Sequence, residues 1–266
     1  MKPLYLIVWI VFYFFSVNAE VTQVNHMQEV FSYINEADAN TLVIFDVDMV
    51  LVQPDDPAFQ MANMKRHSTI AKKIMKEMPP ERQMIFLSLM TIKSKPLLID
   101  AQILQLLSQL KQKGIPCMAL TANLTGEFSN IKNMEKWRTN SLCQLGIDFS
   151  QSAPYQRSFI FSNLPSFRGN YSVYQDGILF VNGTTCSKGA ALLAFLQHTL
   201  FNPKRIIFID DREDNLKSVE AALQGKSIDY QALHFIGAKN YPSEILTEEQ
   251  FESRWKELAD EAERLN

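Results

Sequence analysis

Cysteine, histidine and surplus positive charge are all scarce in this sequence, and each shortage removes a class of protein. Three cysteines, Cys117, Cys143 and Cys186, allow at most one intramolecular disulfide, so the chain is no disulfide-stapled scaffold. No CxxC pair occurs and the four histidines are scattered, which removes the usual zinc frameworks. The formal charge is −3 with no basic stripe, which argues against nucleic acid as a partner. Glycine and proline are not enriched, and no repeat or low-complexity tract stands out. After residue 15, no apolar run is long enough to cross a bilayer as a helix.

What remains is a chain of 266 residues, 47% of them hydrophobic, enough for one sizeable domain or one domain with an insertion. Its first 19 residues stand apart. Lys2 precedes an unbroken apolar run from Leu4 to Phe15, and Val17-Asn18-Ala19 offers small residues at a cleavage site. The run falls short of the roughly 20 residues a bilayer span needs, so 1–19 reads as a secretory signal peptide. An uncleaved N-terminal anchor is the other reading. Export to the periplasm or beyond is therefore expected, with one lysine lost and a mature charge of −4. Cys117 lies in the apolar run IPCMALT and reads as a buried small hydrophobe, leaving Cys143–Cys186 as the favoured disulfide.

From residue 24 onward, helical and strand patterns alternate. Strands are expected at 41–46, 115–121, 205–210 and 232–237, and further strands within 158–182, where Asp176-Gly177 signals a turn. Helices are expected at 24–35, 97–113, 125–147, 188–200, 215–224 and from about 247. Segment 54–96 is mostly helical with a break at Pro79-Pro80. Short apolar strands between helices predict an α/β fold, a parallel sheet with helices on both faces. Ligands bind such sheets beyond the carboxyl ends of the strands. The residues at those ends are Asp46 and Asp48, then Thr121, then Asp210 and Asp211, while Lys188 starts the helix that feeds the last strand.

Two carboxylates in VIFDVDMVL need a reason, because an unpaired buried carboxylate costs several kcal/mol. Taken singly, the features have plain explanations. A DxD can cap or turn a strand end, and acids at 210–214 suit the start of a helix. Taken together and in order, they resemble the haloacid dehalogenase (HAD) superfamily. Asp46-Val47-Asp48-Met49-Val50-Leu51 fits its first motif, Thr121 its second, Lys188 its third and IIFIDDREDN (206–215) its fourth. The whole chain looks most like an uncharacterised family of exported bacterial HAD-like proteins.

The resemblance implies a Rossmann-like core, 20–53 with 97–266, and a helical cap inserted at 54–96. It also implies a Mg²⁺-dependent phosphohydrolase acting on a phosphorylated small molecule. Asp46 would be the nucleophile and Asp48 the general acid and base, with Thr121 and Lys188 holding the phosphoryl oxygens. Asp46, the Asp48 carbonyl and Asp211, with Asp210, would hold the metal. The residue supporting Asp211 would be Asn215; were Asp210 the main ligand, it would be Asp214. A phosphotransferase using the same aspartyl-phosphate stays open, as does a secreted HAD-fold interaction protein without turnover. A dehalogenase has no need of the second acid that Asp48 supplies.

Overall fold

The computed structural model describes residues 21–265, and the expected signal peptide lies outside them. The sheet is built around TLVIF, which forms β2 (Thr41–Phe45) and is buried at every position. Parallel neighbours flank it, β5 (Cys117–Thr121) on one side and β9 (Arg205–Asp210) on the other. Val43, Ile44 and Phe45 pair on both sides, Val43 lying opposite both Cys117 and Ile207. Beyond β9 lie β10 (Asp229–Phe235) and β1 (Thr22–Val24), both parallel. Beyond β5 come β8 (Ile178–Phe180), then the antiparallel β7 (Val173–Gln175) and β6 (Phe159–Ile160). Among the described residues the sheet has eight strands, in the order β1-β10-β9-β2-β5-β8-β7-β6.

The strand period of two sends alternate side chains of β2 to opposite faces. Val43 and Phe45 pack with α1 (Met27–Ile34) and α5 (Gln102–Gln112). Leu42 and Ile44 face α7 (Lys188–Thr199) and α8 (Glu213–Leu223). Each such side chain contributes about 1.5–3 kcal/mol when fully buried, which is why the central strands carry almost no polar residue before their last position. The fold is therefore α/β, with a mostly parallel sheet covered on both faces. Helices α7 and α8 approach so closely at Gly189 that a Cβ there would lie 2.0 Å from the Ser218 carbonyl oxygen.

Two short strands, β3 (Val52–Pro54) and β4 (Pro96–Leu98), pair antiparallel and bring the ends of the intervening segment together. Between them lie a 3-10 turn at Pro57–Phe59 and helices α2 (Met61–Arg66), α3 (Ser68–Glu77) and α4 (Pro80–Lys93). These build a separate core around Phe59, Phe86 and Leu89. The C-terminal helix α9 (Glu248–Arg264), expected to complete the sheet domain, belongs to this core instead. Its Phe251, Trp255 and Leu258 stripe packs there, and Trp255 Nε1 donates to the Ala58 carbonyl at 2.8 Å. Asn63, fully buried, donates to the Glu244 carbonyl at 2.7 Å and ties the approach to α9 onto α2.

Three further expectations need correction. The helix at 125–147 is shorter, α6 (Met134–Cys143), started by Asn133, whose side chain accepts from the Lys136 N–H. The helix at 24–35 begins later, because Thr22–Val24 pairs with β10 as an edge strand. The Cys143–Cys186 disulfide is not formed: Cys143 is exposed at the end of α6, Cys186 is buried against α7, and all three cysteines are free. Among the described residues no helix is long and apolar enough to cross a membrane.

Candidate active site

Strands β2, β5 and β9 end side by side, so their last residues share one edge of the sheet. There the chain leaves β2 through Asp46 into a tight loop, in which Leu51 and Val52 N–H both donate to the Val47 carbonyl. Met49 takes a left-handed backbone, φ 63°, an uncommon conformation for a residue with a Cβ. The loop returns the Asp46 carboxylate over the strand end, where its Oδ1 accepts from the Val47 N–H at 2.7 Å.

Lys188 makes the central contact. Ser187 caps α7 by accepting from the Ala190 N–H, which sets Lys188 in the first turn, where the helix dipole disfavours a cation. Its ammonium lies 2.7 Å from both Asp46 Oδ1 and Asp210 Oδ2. Burial works against this ammonium, but Asp210 and Asp46 outweigh it and hold its pKa above the ordinary value. Asp210 is completely buried and its oxygens are engaged. They accept from Lys188, from the Arg212 N–H at 2.8 Å and from Asn215 Nδ2 at 3.0 and 3.1 Å.

Asp211 differs from its neighbour. It is only partly buried and lines a cavity, as do Asp46, Asp48, Thr121, Lys188, Asp214 and Asn215. Desolvation, together with Asp210, raises its pKa to about 7, and desolvation likewise pushes Asp46 well above the usual carboxylate range. Asp46, Asp210 and Asp211 each offer an oxygen within 4.8 Å of the others. One ammonium does not balance these three carboxylates. Hard oxygen donors with surplus negative charge suit a small divalent cation such as Mg²⁺. The donor set fits.

All the residues singled out from the sequence therefore come together at this edge. Thr121 is buried at the end of β5, its Oγ1 accepting from the Asn123 N–H at 3.2 Å. Asp48 is held by two residues that sequence reasoning did not assign to the site. Asn123 Nδ2 donates to its Oδ2 at 2.8 Å, and the buried Arg138 of α6 donates through Nη2 to its Oδ1. A lone arginine in MEKWRTNSLC carries no local signal, since its partner lies 90 residues earlier. Asn215 was named only as a register option; the structure pairs it with Asp210, five residues before it.

Cavity walls come from more than the sheet edge. Met61 and Met64 of α2 and Met84, Leu87 and Met90 of α4 complete a space of about 440 Å³. That volume lies within the range of about 300–1,000 Å³ usual for small-molecule sites.

Comparison with solved structures finds a HAD family hydrolase, t0658 from Salmonella enterica serovar Typhi. The match covers 79% of this chain and 70% of that one, with 15% identity and a TM-score of 0.40. An uncharacterised protein of Rickettsia bellii is 31% identical over 227 residues, covering 83% of this chain and 76% of that protein. One from Rickettsia felis is 37% identical over 121 residues, which is 45% of this chain and 40% of its own length. The family model described as "Protein of unknown function (DUF2608)" matches residues 23–264, nearly the whole described chain. The protein belongs to the DUF2608 family.

Proposed function

We propose that this protein is an exported, Mg²⁺-dependent phosphohydrolase that works through an aspartyl-phosphate on Asp46. The observation that carries the proposal is the Lys188 ammonium set between Asp46 and Asp210 with Asp211 alongside, on the wall of one cavity. Such a cluster is costly unless a cation and an anionic substrate compensate it. The four motifs that resemble the HAD superfamily support the same reading.

In this reaction a phosphomonoester enters the cavity with its phosphoryl group between Lys188 and Thr121. Asp46 attacks phosphorus in line, and the bond from phosphorus to the alcohol oxygen breaks. Asp48 gives its proton to the departing oxygen, then takes one from the water that hydrolyses the acyl phosphate. Arg138 and Asn123 fix where the Asp48 carboxyl points. Asp46, Asp211 and the Asp48 backbone carbonyl would hold the metal, with Asp210 behind them keeping Lys188 and Asn215 in place. Mg²⁺, when bound, supplies charge neutralisation between an anionic nucleophile and a dianionic phosphoryl group. Segment 54–96 acts as the cap.

Hydrolysis of a generic aryl phosphate by the purified protein, with and without Mg²⁺, tests the proposal. Metal-dependent release of phosphate that disappears in Asp46→Asn supports it. No release from any phosphomonoester, by a folded protein that binds Mg²⁺, would leave the fold without this activity.

A further inference from the structure

We infer that the alcohol part of the substrate is an uncharged alkyl or aryl group, so that the protein acts on apolar phosphomonoesters rather than on sugar or nucleotide phosphates. This rests on the phosphohydrolase reading and adds the substrate class to it. The cavity has two unlike ends. Every charged group on its wall, including Lys188, Asp211, Arg212 and Asp214, comes from the strand ends and the loops and helices that follow them. The opposite wall, from α2 and α4, carries none. Five methionines line the space, Met49, Met61, Met64, Met84 and Met90, nearly half of the chain's 11.

The polar residues on that wall do not change its character. Ser88 Oγ donates to the Met84 carbonyl at 2.8 Å, and Thr91 Oγ1 donates to the Leu87 carbonyl at 3.0 Å. Both hydroxyl protons are committed to α4 itself, so neither is offered to a sugar hydroxyl. Lys65 and Arg66, the cations of α2, face a separate groove beside Tyr241 and Pro242. A second phosphate or a carboxylate on the substrate would meet no positive charge on this wall, and a ring of hydroxyls would lose its water without gaining donors. Methionine is flexible and polarizable, so such a wall accepts apolar groups of several shapes. The inference is thus of a class, not of one molecule.

The test compares n-alkyl phosphates from ethyl to hexyl with glucose 6-phosphate and glycerol phosphate, using purified protein with Mg²⁺. Burial of a methylene is worth about fourfold when complete. kcat/KM should therefore rise about two- to fourfold per added methylene, with hexyl phosphate far ahead of glucose 6-phosphate. Met64→Lys, on the partly exposed face of α2, should flatten that rise. Met64→Leu should preserve the rise. Flat chain-length dependence, or a preference for the hydroxylated substrates, would overturn the inference while leaving the hydrolase reading intact. If no phosphomonoester is hydrolysed, calorimetric binding of ethyl- and hexylphosphonate still reads the wall: tighter binding of hexylphosphonate supports the apolar site, and equal or absent binding refutes it.

Discussion

Replacing Lys188 by methionine is the perturbation that most loads the charge balance at the strand ends. Lys188 is 3% exposed and stands 2.7 Å from one carboxylate oxygen of Asp46 and one of Asp210, themselves 9% and 0% exposed. Methionine keeps the length and apolar stem but removes the cation. Breaking a buried pair by removing one partner costs about 3–5 kcal/mol, because the other charge stays buried without compensation. For a chain of this size each kcal/mol moves Tm by about 2–4 °C, so Tm in EDTA should fall by about 6–20 °C.

Two further features identify the cause of that fall. It should be smaller near pH 5, where the stranded carboxylates take up protons, than near pH 8. Mg²⁺ should also raise the Tm of Lys188→Met by more than that of the wild type, since the cluster has lost its internal cation and binds the metal more tightly. The assay is a thermal melt followed by circular dichroism, at both pH values, with and without Mg²⁺. A variant as stable as the wild type in EDTA, with an unchanged response to Mg²⁺, would refute the argument that Lys188 holds these carboxylates.

Asp46→Asn should lower hydrolysis by several orders of magnitude, on the order of 10⁶ where catalytic groups act as a unit, while metal-free stability holds or rises because one of several crowded charges is gone. Steady-state rates and melts on the same preparation check both halves, and a stable variant with full activity would contradict the first. In the metal-free wild type, Asp211 binds its proton more tightly folded, at about 7, than unfolded at 3.8. Its contribution is fully present below 3.8 and is lost as pH rises through about 7, so Tm in EDTA should decline between about pH 5 and 8. A flat or rising Tm would count against it. Arg138→Met should lower kcat about ten- to a hundredfold with little change in KM, because Arg138 orients Asp48 and does not line the phosphate cavity. A large rise in KM alone would point to substrate binding instead. Gly189→Ala should destabilise by about 1–3 kcal/mol by forcing α7 from α8, and urea denaturation measures it; an unchanged midpoint would mean the helices yield freely.

The central sheet was legible in the sequence because its strands are short and apolar and end in polar residues, acids in two of the three. TLVIFD, IPCMALT and RIIFID mark β2, β5 and β9, and their final residues supply the carboxylates and Thr121 of the site. Lys188 could be read from its place before an apolar helix. The rest depends on partners distant in the chain. In β1 only Thr22–Val24 pairs, and nothing in three residues announces that β10, some 200 residues later, will take them as an edge. The apolar stripe of α9 shows that one face is buried, but an amphipathic pattern does not name the surface it meets, and here that surface is α3, α4 and the turn at Pro57–Phe59 rather than the sheet. Arg138 is silent for the same reason: its meaning lies wholly in Asp48. The disulfide expectation failed because cysteine count limits pairing without bringing two sulfurs together.

Trapping the covalent intermediate tests the account most directly. The purified protein is mixed with Mg²⁺ and an aryl phosphate, quenched during turnover and treated with borohydride, which reduces an acyl phosphate to an alcohol. Peptide mass spectrometry then locates the change. The account predicts that Asp46 alone is converted to homoserine, that the conversion requires Mg²⁺ and that it increases in Asp48→Asn, where hydrolysis of the intermediate is slowed. Substrate turnover with Asp46 unmodified in both proteins, or with the mark on another carboxylate, would contradict it.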